Sequence, residues 1–121
     1  MFTPYEKIAD MPENVAGEFY ELWDWLTGGS HYWAEVVEHD HKRMVFKERE
    51  YPEDSAQWAD PQRLLDTLNE HLDWFRDHPA SWNKRFAADC FLGEFGEAAC
   101  ADADTMDCLF QLMAFGKFRY A

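Results

Sequence analysis

HYWAEVVEHDHKRMVFKEREY, residues 31–51, breaks with the helical periodicity on either side of it and decides the fold class. β-Branched and aromatic side chains (Tyr32, Trp33, Val36, Val37, then Met44, Val45, Phe46) flank the polar run His39-Asp40-His41-Lys42. That composition, punctuated in the middle, is the pattern of two strands joined by a turn. The second arm partly alternates, with Val45, Lys47, Arg49 and Tyr51 on one side and Met44, Phe46, Glu48 and Glu50 on the other. Successive strand residues point to opposite faces, so one of these sides is expected to be wet. A β-hairpin over about 31–51 follows.

Helical periodicity governs the flanks. Upstream, Val15, Phe19, Leu22, Trp23 and Leu26 recur at helical spacing after Asp10, Pro12 and Glu13. This predicts a helix over roughly 12–27, with Asp10 capping its start and Gly28-Gly29 supplying a left-handed stop. Residues 52–59 read as a connecting loop. Asp60-Pro61 repeats the cap-then-proline signal, and Leu64, Leu65, Leu68, Leu72 and Phe75 form a stripe ending before Pro79. Ser81 is placed to cap a third helix over 82–92, although RFAADCFL also has the length of a strand. Asp104-Thr105 opens a final run, MDCLFQLMAF, apolar on nearly every side and stopped by Gly116. The tail 117–120 is a candidate for one further short strand. Without repeats or linkers, residues 1–121 read as a single acidic α+β domain, a small antiparallel sheet packed with three to four helices.

Composition narrows the function classes. The 121 residues are 47% hydrophobic and 17% aromatic, which supplies enough apolar surface to offset chain entropy, so the acidity belongs to a folded surface. Asp and Glu number 24 against 11 Lys and Arg, for a net charge of −13. Such a surface repels phosphate backbones and anionic lipids and attracts basic partners, which argues against direct nucleic-acid binding. Residues 1–14 lack the basic start and apolar run of a signal peptide, and no segment has the roughly 18–20 apolar residues of a membrane span. Cys90, Cys100 and Cys108, odd in number and without a CxxC pair, do not form a disulfide framework. A cytoplasmic protein with reduced thiols and no membrane partner is expected.

No motif identifies a reaction. His39-x-His41 and the three cysteines are the only metal-ligand set the sequence offers, and their irregular spacing does not match a site of about four ligands. The two histidines are expected to be solvated turn residues, and a small metal protein or enzyme built on them is the alternative of another class. Ser30, Ser55 and Ser81 sit at turn or cap positions, and there is no GxSxG elbow. Gly28-Gly29 and Gly93-x-x-Gly96 match neither phosphate-binding glycine pattern. No cofactor is expected, and Cys90 and Cys108 read as core residues.

Two acidic helix faces remain. Asp66, Glu70, Asp73 and Asp77, at i, i+4, i+7 and i+11, lie opposite the leucines with Trp74 at their edge. Glu18, Glu21 and Asp24 repeat this on the first helix around Trp25. Like charges four residues apart cost a few tenths of a kcal/mol each, and Arg63 and Arg76 are the only bases on hand to relieve the second stripe. The acids at 102, 104 and 107 are explained by capping and the helix dipole. Size, acidity and stripes are similar to a functional class, the small acidic inhibitors made by phages, plasmids and toxin-bearing bacteria. That resemblance implies a non-enzymatic inhibitor of the anti-CRISPR or anti-restriction kind. It would cover the basic nucleic-acid-binding face of an enzyme or effector, and a toxin-neutralising immunity protein is the runner-up.

Overall fold

A computed structural model of the protein describes residues 5–77 and 103–120. A 3-10 turn (Ile8–Asp10) leads into helix α1 (Glu13–Trp25). Strands β1 (Ala34–His39), β2 (Met44–Glu48) and β3 (Gln57–Ala59) follow, then helices α2 (Pro61–Asp77) and α3 (Ala103–Phe115). This is the expected α+β fold, a three-stranded antiparallel sheet ordered β1-β2-β3 with three α-helices among the described residues. The expected third helix over 82–92 lies outside the described residues.

The hairpin forms where its composition placed it. Asp40 makes the turn, its carboxylate accepting from the backbone N–H of Lys42 and Arg43 at 2.7 and 3.0 Å, and those bonds hold the carboxyl below the usual carboxylate range. The register pairs Ala34 with Glu48, Val36 with Phe46 and His39 with Met44 on the core side. Glu35 with Lys47 and Glu38 with Val45 pair on the other, and the register slips at Val37, a bulge. Met44, Phe46 and Glu48 are buried, the alternation that MVFKEREY predicts.

Three local expectations need correction. The 52–59 loop ends in a strand, because Gln57, Trp58 and Ala59 pair with Phe46, Val45 and Met44. Asp10 does not cap α1: it lies in the 3-10 turn, and Pro12, without a side-chain oxygen, stands at the cap position. The tail 117–120 forms no strand. Its backbone is held by one side chain, with Gln111 Oε1 accepting from the N–H of Arg119 and Tyr120 at 2.8 Å and Gln111 Nε2 donating to the Tyr120 carbonyl at 3.1 Å. A carboxamide thus takes the place that a neighbouring strand would fill. By contrast Asp60 does cap α2, accepting from Arg63 N–H at 2.9 Å, and Gly116 stops α3 at φ +70°.

The core gathers every element. Phe19, Leu22, Trp23 and Leu26 of α1 meet Met44 and Phe46 of the sheet, Leu64, Leu65 and Leu68 of α2, and Leu109, Phe110 and Met113 of α3, all buried. Each such side chain contributes about 1.5–3 kcal/mol relative to exposure. Arg63 does not relieve the α2 acids as its sequence position suggests. Half-buried, it reaches across to donate to the carbonyls of Trp58 in β3 and of Met113 at the end of α3, each at 2.8 Å. There it satisfies carbonyls that α3 leaves unpaired, on the end of the helix dipole that favours a cation.

Gly28 and Gly29 do not adopt the left-handed conformation expected of them, since Gly116 holds the one positive φ among the described residues. Gly29 is required for a different reason. A Cβ there would stand 2.0 Å from the Ala103 carbonyl oxygen, so the first turn of α3 packs directly on its backbone. Gly29→Ala is expected to destabilise the fold by about 1–3 kcal/mol or more. At Gly17, an exposed position of α1 with open space around it, Gly17→Ala is expected to stabilise by about 0.5–1 kcal/mol. Urea denaturation of the two variants would measure both signs.

Candidate partner-binding surface

The buried side of α1 is fixed by Phe19, Leu22, Trp23 and Leu26, which leaves Asn14, Gly17, Glu21, Asp24 and Trp25 on the exposed side. Trp25 is 53% exposed and stands next in sequence to Asp24. The C-terminal half of α1 is locked to the hairpin turn, because the buried Trp23 indole donates from Nε1 to the Asp40 carbonyl at 2.8 Å. Asp24 pairs with His41 at 2.9 Å, and the His41 ring lies against Tyr20. The acids and tryptophan of α1 therefore sit on a rigid support, a tightly anchored helix end.

On α2, Asp66 and Glu70 are exposed as expected. Asp66 accepts from Gln62 Nε2 at 2.9 Å, an i, i+4 pair that supports the helix. Gln62 also binds the N-terminal segment, donating to the Glu6 carbonyl and accepting from Ile8 N–H. The two acid stripes thus border different elements, the hairpin turn for α1 and the 5–8 segment for α2. The side chains of Glu18, Asp73, Trp74 and Asp77 lie outside the described set.

His39 is not the solvated turn residue that the sequence suggests. It ends β1 on the core side, with its ring edge-on to Trp23 at 5.3 Å, and burial pushes its pKa down. Its Nε2 is buried and has no hydrogen-bond partner among the described residues. The strand end separates it in environment from His41, which is exposed and faces Asp24. Among the described residues no three His, Cys, Asp or Glu side chains converge as a metal site. Cys108 is partly buried on α3, while Cys90 and Cys100 lie outside the described residues. No described helix is long and apolar enough to cross a membrane.

Asp107 is another residue whose role differs from the expected one. It is buried on α3, where it serves neither as a cap nor as a dipole partner. Its Oδ1 accepts from Ser30 Oγ at 2.8 Å and Trp33 Nε1 at 2.7 Å; its Oδ2 accepts from Tyr32 Oη at 2.5 Å and Gln111 Nε2 at 3.1 Å. Glu48, buried on β2, accepts from Tyr120 Oη and pairs with Arg119 Nε at 3.0 Å. Between the two carboxylates Trp33 stacks on Tyr120, with ring centres 5.2 Å apart and planes 9° from parallel. Both Asp107 oxygens already hold two protein donors each, an arrangement that joins elements and leaves little acceptor capacity for a substrate. The signal was present in the sequence: Asp107 and Gln111, four apart, are the polar exceptions in the apolar run MDCLFQLMAF, and buried polar groups need partners. Trp58, 64% exposed, was also missed, because its segment read as loop.

Comparison with protein-family models, curated proteins and solved structures gives no match for the chain. The functional reading rests on the residues themselves.

Two predictions concern the buried acids. Asp107→Asn places an NH2 against donors that need an acceptor, and is expected to lower unfolding free energy by about 2–4 kcal/mol, read from urea denaturation followed by tryptophan fluorescence. Tyr120 is pushed up to about 12, first by burial and then by its hydrogen bond to Glu48. The unfolded phenol ionises near pH 10, so the stabilisation is complete below about pH 10 and is lost as pH rises through the folded value. Stability should fall across that interval. Tyr120→Phe should start lower and fall less steeply, with the remaining slope carried by Tyr32, whose pKa burial and Asp107 also raise.

Proposed function

We propose that the protein is a non-enzymatic inhibitor that covers the basic nucleic-acid-binding surface of another protein. The observation that carries this reading is the exposed Trp25 beside the exposed Glu21 and Asp24, on a helix with four acids and no base. Tryptophan is enriched among the residues that dominate interface energy, and it gains that energy when a partner removes it from water. The neighbouring carboxylates give the same patch a negative field, which steers a basic partner in and takes the place of phosphates once it has docked. Asp66 and Glu70 extend the negative field from α2. The partner is a basic protein of the nuclease, restriction-enzyme, CRISPR-effector or DNA-binding type.

Affinity capture from a host lysate at low salt tests the proposal, with wild-type protein beside a Trp25→Ala bait and a Glu21→Gln/Asp24→Asn bait. Wild type is expected to retain a nucleic-acid-binding protein that both variants release and that added duplex DNA or RNA displaces. Equal recovery by all three baits, or a partner that holds its nucleic acid while bound, would overturn the reading.

A further inference from the structure

The outer face of the sheet differs in character from the rest of the molecule. Val45 of β2 stands directly opposite Trp58 of β3, and Val37 bulges from β1 in the neighbouring register. Trp58 and Val37 are 64% and 61% exposed, the two highest values among the exposed large hydrophobic side chains. The charges around them are paired. Lys47 bonds Glu35 at 3.2 Å across the strands, and Arg43 makes two bonds to Glu38 at 3.1 and 3.2 Å. Residues 34–50 hold five acids and four bases, a net of −1 in a chain of −13. Two copies of so acidic a protein repel each other, and this sheet face adds little net charge to that repulsion.

We propose that this face is a homodimer interface, in which the sheets of two copies pack face to face. A two-fold interface must be complementary to itself, which a purely acidic patch is not and a patch with both signs around an apolar centre is. A two-fold axis parallel to the strands, between β1 and β2, sets each Glu35 over the partner copy's Lys47 and each Val45 over the partner copy's bulge at Val37 and Glu38. The same operation lays each Trp58 against the other copy's β1 edge. The ion pairs seen within one copy become a four-charge array between two, and the tryptophan is taken out of water. This surface is distinct from the α1 patch, and its salt dependence is opposite. Added salt screens the repulsion between two acidic chains and strengthens the dimer, whereas it weakens the docking of a basic partner.

Sedimentation equilibrium of the full chain, at low and high salt and up to roughly 100 μM, tests the interface in a range where a micromolar contact is close to saturated. A species of twice the 14.3 kDa chain mass is expected, populated more at high salt. Trp58→Asp is expected to be monomeric, with circular dichroism showing that it remains folded. Glu35→Lys and Lys47→Glu, each alone, set like charges against each other on both sides of the axis and should weaken the dimer about tenfold or more. Mixed one to one, the two variants are complementary and should form a mixed dimer. A wild-type chain that stays monomeric throughout, a Trp58→Asp variant as dimeric as wild type, or a mixture that fails to associate would overturn the proposal. None of these outcomes bears on the basic-partner reading, which is tested through α1.

Discussion

The carboxylate of Asp107 is the point on which the two ends of the chain depend. From one helix it collects the hydroxyls of Ser30 and Tyr32 and the indole of Trp33, three donors from a turn more than seventy residues earlier. Trp33 is held in the centre of the core by that bond, and the rings of Phe110, Phe115 and Tyr120 are arranged around it. A buried carboxylate is costly unless its lone pairs are filled, and here they are filled by the buried Ser30, Trp33 and Gln111 and by the partly exposed Tyr32. The arrangement specifies one docking of the 30–33 turn on α3, where apolar packing alone would tolerate several. Gly29, with no side chain between its backbone and the start of α3, permits the same approach from the other side.

Much of this architecture was legible in the sequence because local signals and burial agreed. The hairpin, the Asp60 cap, the leucine face of α2 and the Gly116 stop each rest on period, cap or turn chemistry that acts within a few residues. The misreadings have a common cause: they concern groups whose partner is remote. Asp107 looks like a helix-terminus acid until Ser30 and Trp33 are brought to it. Arg63 looks like a surface counter-charge until the end of α3 arrives beside it. A three-residue strand such as Gln57–Ala59 has too little length to show a period, and it exists because β2 offers an edge. Gly28-Gly29 looked like a helix stop, whereas Gly29 is set by what packs against it. For the surface, the exposure of Trp25, Asp66 and Glu70 followed from helical phase, while that of Trp58 depended on seeing β3.

Charge is sorted across the molecule. Several cations are committed inside it or to nearby carboxylates: Arg63 to backbone carbonyls, Arg119 to Glu48, Lys47 to Glu35 and Arg43 to Glu38. Helix α1 carries four acids and no base in its sequence, whereas residues 34–50 have a net charge of −1. Docking of a basic partner on α1 and pairing through the sheet are compatible proposals, because a dimer joined through its sheets would display two acidic helical sides. Two linked binding surfaces gain from effective concentration when their target offers two sites.

The distance in sequence between Ser30 and Asp107 also sets an order on biosynthesis. The first helix and the hairpin are synthesised well before their partners: the acceptor for Ser30, Tyr32 and Trp33 and the aromatic ring of Phe110 emerge more than seventy residues later. Contacts of such long range form late and slowly. Until they form, the Ser30 hydroxyl and the Trp33 indole, both buried in the finished fold, lack their carboxylate acceptor. The acidity of the earlier segments bears on that interval, since like charge keeps incomplete chains on neighbouring ribosomes apart until α3 is available to the core.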